Sequence, residues 1–303
     1  MRRSAQHEGS PVTASVAPLR APRAVDAVPG QCALSRLATR SLLAELVLYP
    51  KPGLVSLRDT GSHTDMDAST FVRSLFSLRG YFADIATAGG AAAPFQVLRE
   101  LGVRAEAAML AATGGVNTHR GAIFVLGLLC AAAGRARARG EAPTDVVLRH
   151  ALHDAWGDAL ASFAAPAGRR SHGALAATRY GATGARGEAR RAFPAVFDVA
   201  LPALREARAR GCDARHARLS AFFALLARVD DTNILHRGGA AGLAFVRDCA
   251  NAFRAGGDVH GAGAIARAEA IHRAFVARRL SPGGCADLLA AALFVHELQV
   301  AQA

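Results

Sequence analysis

Apolar residues recur at helical spacing along nearly the whole chain: Leu34, Leu37, Leu42 and Leu46 in a first segment, then Phe71, Leu75, Leu78 and Phe82 in a second. A period near 3.6 places such residues on one helix face, and similar stretches occupy about residues 95–112, 118–134, 144–163, 188–210, 213–228, 238–255, 260–278 and 282–299. No run of alternating β-branched residues marks a strand, and no repeat or linker divides residues 34–299. The pattern predicts an all-α fold, a single multi-helix globular domain of about ten helices spanning residues 33–303. The apolar run "AIFVLGLLCAAAG" is shorter than the roughly twenty residues that cross a bilayer, so it is expected to be a core helix, with no membrane partner.

Residues 1–32 are rich in Pro, Ala and Arg and contain no apolar stretch of the secretory kind, so a disordered tail is expected there. The five cysteines are dispersed and show no C-x-x-C spacing, as buried thiols of a reducing, cytoplasmic location would be. Lys and Arg number 36 against 24 Asp and Glu, a formal charge of +12. Lys51 is the sole lysine, and Arg excess alongside abundant Ala and Gly reads as the coding bias of a GC-rich genome. With three Tyr and one Trp to stack on bases, the charge suits small polyphosphates as well as RNA, and no nucleic-acid partner is expected.

The breaks between helices are richer in Gly, His, Asp and Arg than solvated turns require. In "YPKPGLVSLRDTGSHTDMD" two prolines stiffen the backbone around Lys51, while His63, Asp65 and Asp67 suit a divalent metal or a sugar; Asp67 itself reads best as the N-cap of the following helix. In "ATGGVNTHRG", Gly114 and Gly115 allow close backbone approach at a helix N-terminus that welcomes anions. A cap accounts for Asn117 or Thr118 but leaves His119 and Arg120 without a reason. In "VDDTNILHRGG" the adjacent Asp230 and Asp231 repel, and a shared Mg²⁺ is the simplest relief, with His236 and Arg237 near enough to meet phosphate. "RYGATGARGEA", carrying Arg186 and Glu188, reads as a flexible closing flap. "SPGGCAD" reads as Ser281 at the N-cap, Pro282 at N1 and Asp287 near the first turn, with two glycines that suggest close approach by a ligand or another backbone.

Taken in order, "PKPGLV", "GSHTDMD", "TGGVNTHRGAIF", "GARGEA", "DDTN", "HRGG" and "GGCADLLAA" closely resemble the triphosphoribosyl-dephospho-CoA synthase family, from about Leu34 to Leu298. "GSHTDMD" and "TGGVNTHRG" resemble its malonate decarboxylase branch more than its citrate lyase branch. The resemblance implies an all-helical enzyme whose substrates are ATP and 3′-dephospho-CoA. It joins the triphosphoribosyl group to the 2′-hydroxyl of the acceptor in an α-linkage and releases adenine. The product is the prosthetic-group precursor, passed to a holo-acyl-carrier-protein synthase for malonate decarboxylase.

Placing that chemistry on the motif residues assigns Lys51, His119, Arg120 and Arg237 to phosphate, with the ATP triphosphate at the "GGVNTHRG" helix start. Asp230 and Asp231 are assigned to Mg²⁺. Asp65 is the expected base, with Glu45 as second choice, and His63 donates to the departing adenine or holds the ribose. The loop of Arg186 and Glu188 closes over dephospho-CoA. On this reading Asp231→Asn loses activity without unfolding, and Lys51→Arg costs activity but not stability. Two other classes compete: a metal-dependent phosphohydrolase built on His119, His153-Asp154 and Asp231, and a basic helical module for RNA or DNA.

Overall fold

The computed structural model describes residues 29–162, 176 and 179–301. These residues are helical and contain no strand, as the apolar period predicts. The helices are α1 (Pro29–Leu46), α2 (Ala68–Ser77), α3 (Arg79–Gly90), α4 (Phe95–Thr113), α5 (Arg120–Ala138), α6 (Asp145–Ser162), α7 (Gly184–Arg190), α8 (Leu201–Ala209), α9 (Ala214–Arg228), α10 (Thr232–Ala255), α11 (Ala264–Ala277) and α12 (Gly283–Val300). Residues 1–28, most of the expected tail, lie outside the described residues, and 29–32 already belong to α1.

Two helices carry almost no polar side, and the fold puts both in its centre. Residues Ala122 to Ala133 of α5 are buried apart from Phe124, and α12 buries an unbroken run from Leu288 to Val295. A helix that is apolar all round must be covered all round. Helices α3, α1, α6 and α12 pack on α5, while α1, α9 and the π-helical turn Ala195–Ala200 pack on α12. At 19 and 18 residues both are long and apolar enough to cross a membrane by length and composition alone. Their neighbours make them core helices instead, as expected for the "AIFVLGLLCAAAG" run.

The structure divides two segments that the pattern joins. The Phe71 to Phe82 stripe is two helices, α2 and α3, meeting at Leu78, whose amide donates back to Leu75 and Phe76 carbonyls. Apolar phase survives that corner, so periodicity alone does not report it. The segment 188–210 is broken at Ala192 and Phe193, both at positive φ ahead of Pro194. Asp67 caps α2 by accepting from Thr70 N, as expected, and this bonding holds its carboxyl down at about 2. All five cysteines are free; Cys130 and Cys285 are buried and the other three half-buried.

Candidate active site

A cavity of about 1470 Å³ opens among α1, α4, α5, α7, α9, α10 and α12. Its buried lining residues include Glu45, Lys51, His119 and Asp231, with Asp287 half-buried among them. Arg99, Arg120, Arg191, Arg228 and Arg237 line its exposed margin, together with the half-buried Arg186. The expected residues His63, Asp65, Asn117, Thr118, Glu188, Asp230 and His236 line it too, so motifs spread from residue 45 to residue 237 converge on one space.

Lys51 is 2% exposed. Its Nζ donates to the Glu45 carbonyl at 2.9 Å and pairs with the Glu45 carboxylate. Burial pushes the Glu45 carboxyl up and the Lys51 ammonium down, each opposed by the partner's charge. The stiff segment of the two prolines thus delivers Lys51 to an internal carboxylate, with at most one N–H left for a phosphate. His63 is likewise engaged: Nε2 meets Ser281 Oγ at 2.8 Å, and Nδ1 faces Arg237 Nη2 at 3.3 Å and Asp65 at 3.5 Å. Burial and Arg237 hold His63 below its ordinary value, so it ties loop to helix rather than standing ready as an acid. Arg237 also donates to the Ser62 and Arg279 carbonyls. The Asp65 side chain is 62% exposed.

The structure separates the two aspartates expected to share Mg²⁺. Asp230 pairs with Arg247. Asp231 is buried and caps two helices: Oδ1 accepts from Asn233 N and Ile234 N at the start of α10, and Oδ2 accepts from Cys285 N at the start of α12. Burial still raises its carboxyl, against those three amides. Asp231 does the capping expected of Ser281, because α12 begins at Gly283 without a side-chain cap of its own. The glycines of "SPGGCAD" follow from this: a Cβ on Gly284 would lie 3.0 Å from Asp231 Oδ2, and one on Gly283 2.8 Å from Asn233 Nδ2. Among the described residues no group of three His, Cys, Asp or Glu side chains could hold a metal ion. A Mg²⁺ carried by a triphosphate would need only one or two carboxylates from the protein, which Asp230 and Asp231 in the cavity lining would supply, and no step below passes through one.

The start of α5 is also different from the expectation. Gly114 and Gly115 lie outside the cavity lining; they end α4, with Gly114 at φ 66° and Gly115 N bonded to the Leu110 carbonyl. Asn117 Oδ1 accepts from Arg120 N, and Arg120 pairs with Glu106 of α4. The group over the first turn of α5 is a carboxyl of the protein itself. Asp287, from the first turns of α12, lies against the start of α5, where a Cβ on Gly121 would come within 1.9 Å of its Oδ2. Burial, Glu45 and Asp231 raise the Asp287 carboxyl well above the carboxylate range. Sequence reading placed Asp287 only as a first-turn residue; an Asp between Gly-Gly-Cys-Ala and an apolar helix was the available signal.

His119 is 3% exposed, and burial pushes its imidazole down to about 3, so it is neutral and brings no charge to a phosphate. Part of the "RYGATGARGEA" segment is helical, as α7, and there Glu188 accepts from Ala195 N at 2.9 Å and pairs with Arg191. His153 and Asp154 are exposed on α6 and outside the lining, so the phosphohydrolase constellation is not assembled.

The profile of a family described as ATP:dephospho-CoA triphosphoribosyl transferase matches residues 32–303. A protein of Pectobacterium atrosepticum named 2-(5''-triphosphoribosyl)-3'-dephosphocoenzyme-A synthase is 42% identical over 85% of this chain and 86% of its own length. Proteins bearing the same name with the prefix "Probable" are 44% identical in Azotobacter vinelandii, over 87% of this chain and 90% of theirs, and 38% identical in Acinetobacter calcoaceticus, over 88% and 91%. No solved structure matches the chain.

Proposed function

The chain belongs to the ATP:dephospho-CoA triphosphoribosyl transferase family and is a pentosyltransferase, and from that premise we propose how its cavity works: the 5-triphosphoribosyl group of ATP moves to the 2′-hydroxyl of 3′-dephospho-CoA and adenine departs. The division of charge in the cavity supports this reading. Arginines stand at the exposed margin and carboxyls on the buried floor. The triphosphate is anionic and matches the margin. The ribose gains positive charge as its C1′–N9 bond lengthens, and buried carboxyls stabilise that charge more than water does.

We assign the proton acceptor to Asp287, because Asp65 is exposed and Glu45 is paired with Lys51. In the step, acceptor O2′ bonds to C1′, the C1′–N9 electron pair leaves with adenine, and the departing base takes up a proton from solvent. The hydroxyl proton passes to the Asp287 carboxylate. A base with a raised pKa is the stronger acceptor once ionised, so turnover rises with pH through a range above that of ordinary carboxylates. Such a product suits a prosthetic-group precursor, and the "GSHTDMD" and "TGGVNTHRG" motifs support delivery, through a holo-acyl-carrier-protein synthase, to malonate decarboxylase in the cytoplasm.

Incubation with ATP and dephospho-CoA, followed by chromatography, is expected to yield free adenine in step with the triphosphoribosylated product. ADP or AMP with released phosphate would overturn the reading. In the same assay Asp287→Asn is expected to lower kcat at least about a hundredfold and to remove the acid limb of the pH profile.

A further inference from the structure

Two polar atoms buried at the entrance of α5 lack any hydrogen-bond partner: Thr118 Oγ1 and His119 Nε2. Both residues line the cavity. The His119 ring is held on its other side, where Nδ1 meets Ser74 Oγ at 2.6 Å, and edge-on to Phe71 with centroids 5.0 Å apart. The Ser74 hydroxyl donates to no other acceptor among the described hydrogen bonds, so its proton goes to Nδ1 and the ring proton sits on Nε2. The cavity therefore meets a fixed, neutral N–H donor beside a hydroxyl that both donates and accepts. Leu42, Phe71 and Ile123 contribute apolar lining. Buried polar atoms without partners are costly, and a ligand is what satisfies them.

We propose that His119 Nε2–H and Thr118 Oγ form a subsite for an adenine ring, with Ser74 as the positioning residue that holds the His119 tautomer. Adenine presents a ring-nitrogen acceptor beside an exocyclic amino donor and has apolar faces, which this pair and its lining match. A triphosphate needs positive charge, which neither side chain supplies. The proposal rests on the transferase reading, in which both substrates carry adenine, so the test separates the two sources.

Calorimetry on the full chain uses ATP against inorganic tripolyphosphate, and dephospho-CoA against 4′-phosphopantetheine, which lacks the base. His119→Phe and the near-isosteric Thr118→Val are expected to weaken binding of at least one adenine-bearing ligand about tenfold, while each base-free partner stays within about twofold. Loss confined to ATP places the donor's adenine in the subsite, and loss confined to dephospho-CoA places the acceptor's. Equal loss for tripolyphosphate and ATP in both variants overturns the proposal in favour of a phosphate site. So does wild-type binding of ATP no tighter than tripolyphosphate together with dephospho-CoA no tighter than phosphopantetheine; adenine release in the transfer assay would still stand apart from that result. Nitrogen NMR of the His119 ring is expected to report the Nε2–H tautomer in the wild type and a mixture in Ser74→Ala. An Nδ1–H ring in the wild type would overturn the Ser74 assignment.

Discussion

A buried ammonium is tolerable only beside matched charge, and Lys51 has the Glu45 carboxylate for that purpose. Removing one partner strands the other in the protein interior. Lys51→Met is expected to destabilise by about 3–5 kcal/mol, whereas the double variant Lys51→Met, Glu45→Leu recovers most of that loss. Urea denaturation of the two single variants and the double would measure the coupling; additive losses would mean the pair does not act as a unit. The same burial revises the expectation for Lys51→Arg. A guanidinium is bulkier than the ammonium, so overpacking costs stability as well as activity. At His119 the environment decides the chemistry: an imidazole assigned to phosphate is held neutral by burial and by the nearby Lys51 charge.

Helix ends decide much of this site. Each capped helix start is worth about 1 kcal/mol, and Asp231 serves two, α10 and α12, through different oxygens. Asp231→Ala is therefore expected to lower the unfolding free energy by about 2 kcal/mol, and a change below about 0.5 kcal/mol in denaturant titration would refute the double cap. Asp231→Asn is no longer expected to be neutral for folding, because the amide nitrogen cannot accept from a backbone N–H. The start of α5 carries a second lesson of the same kind. The space over its first turn, which helix physics makes welcoming to an anion, is taken by the Asp287 carboxyl from within the chain.

At the scale of the molecule, the cavity draws its walls from α1 near one end of the chain and α12 near the other. Ligands that fill it bind the folded state alone. ATP at 100 times its dissociation constant is expected to stabilise the protein by about 2.7 kcal/mol, seen as a melting temperature that climbs with ATP concentration. Tripolyphosphate is expected to do the same with weaker affinity, and its effect should fall with added salt because arginines at the exposed margin carry it. A melting temperature indifferent to ATP would remove the nucleotide from the cavity.

The all-helical class, the central place of α5 and the Asp67 cap were legible in the sequence, because each depends on spacing within one segment: a 3.6 period, an unbroken apolar run, a side chain three residues from the amide it caps. The motif residues were legible as a set for the same reason, since Gly, His, Asp and Arg gathered at breaks exceed what turns need. Their partners were not. Whether Asp231 meets a metal or the Cys285 amide, whether Lys51 meets phosphate or Glu45, and whether an outside anion or Asp287 covers the start of α5 all turn on approach between segments distant along the chain, save for the close Lys51–Glu45 pair. Charge attracts without regard to sequence distance, and only the packing of α1, α5, α10 and α12 determines which opposite charge or amide lies within reach.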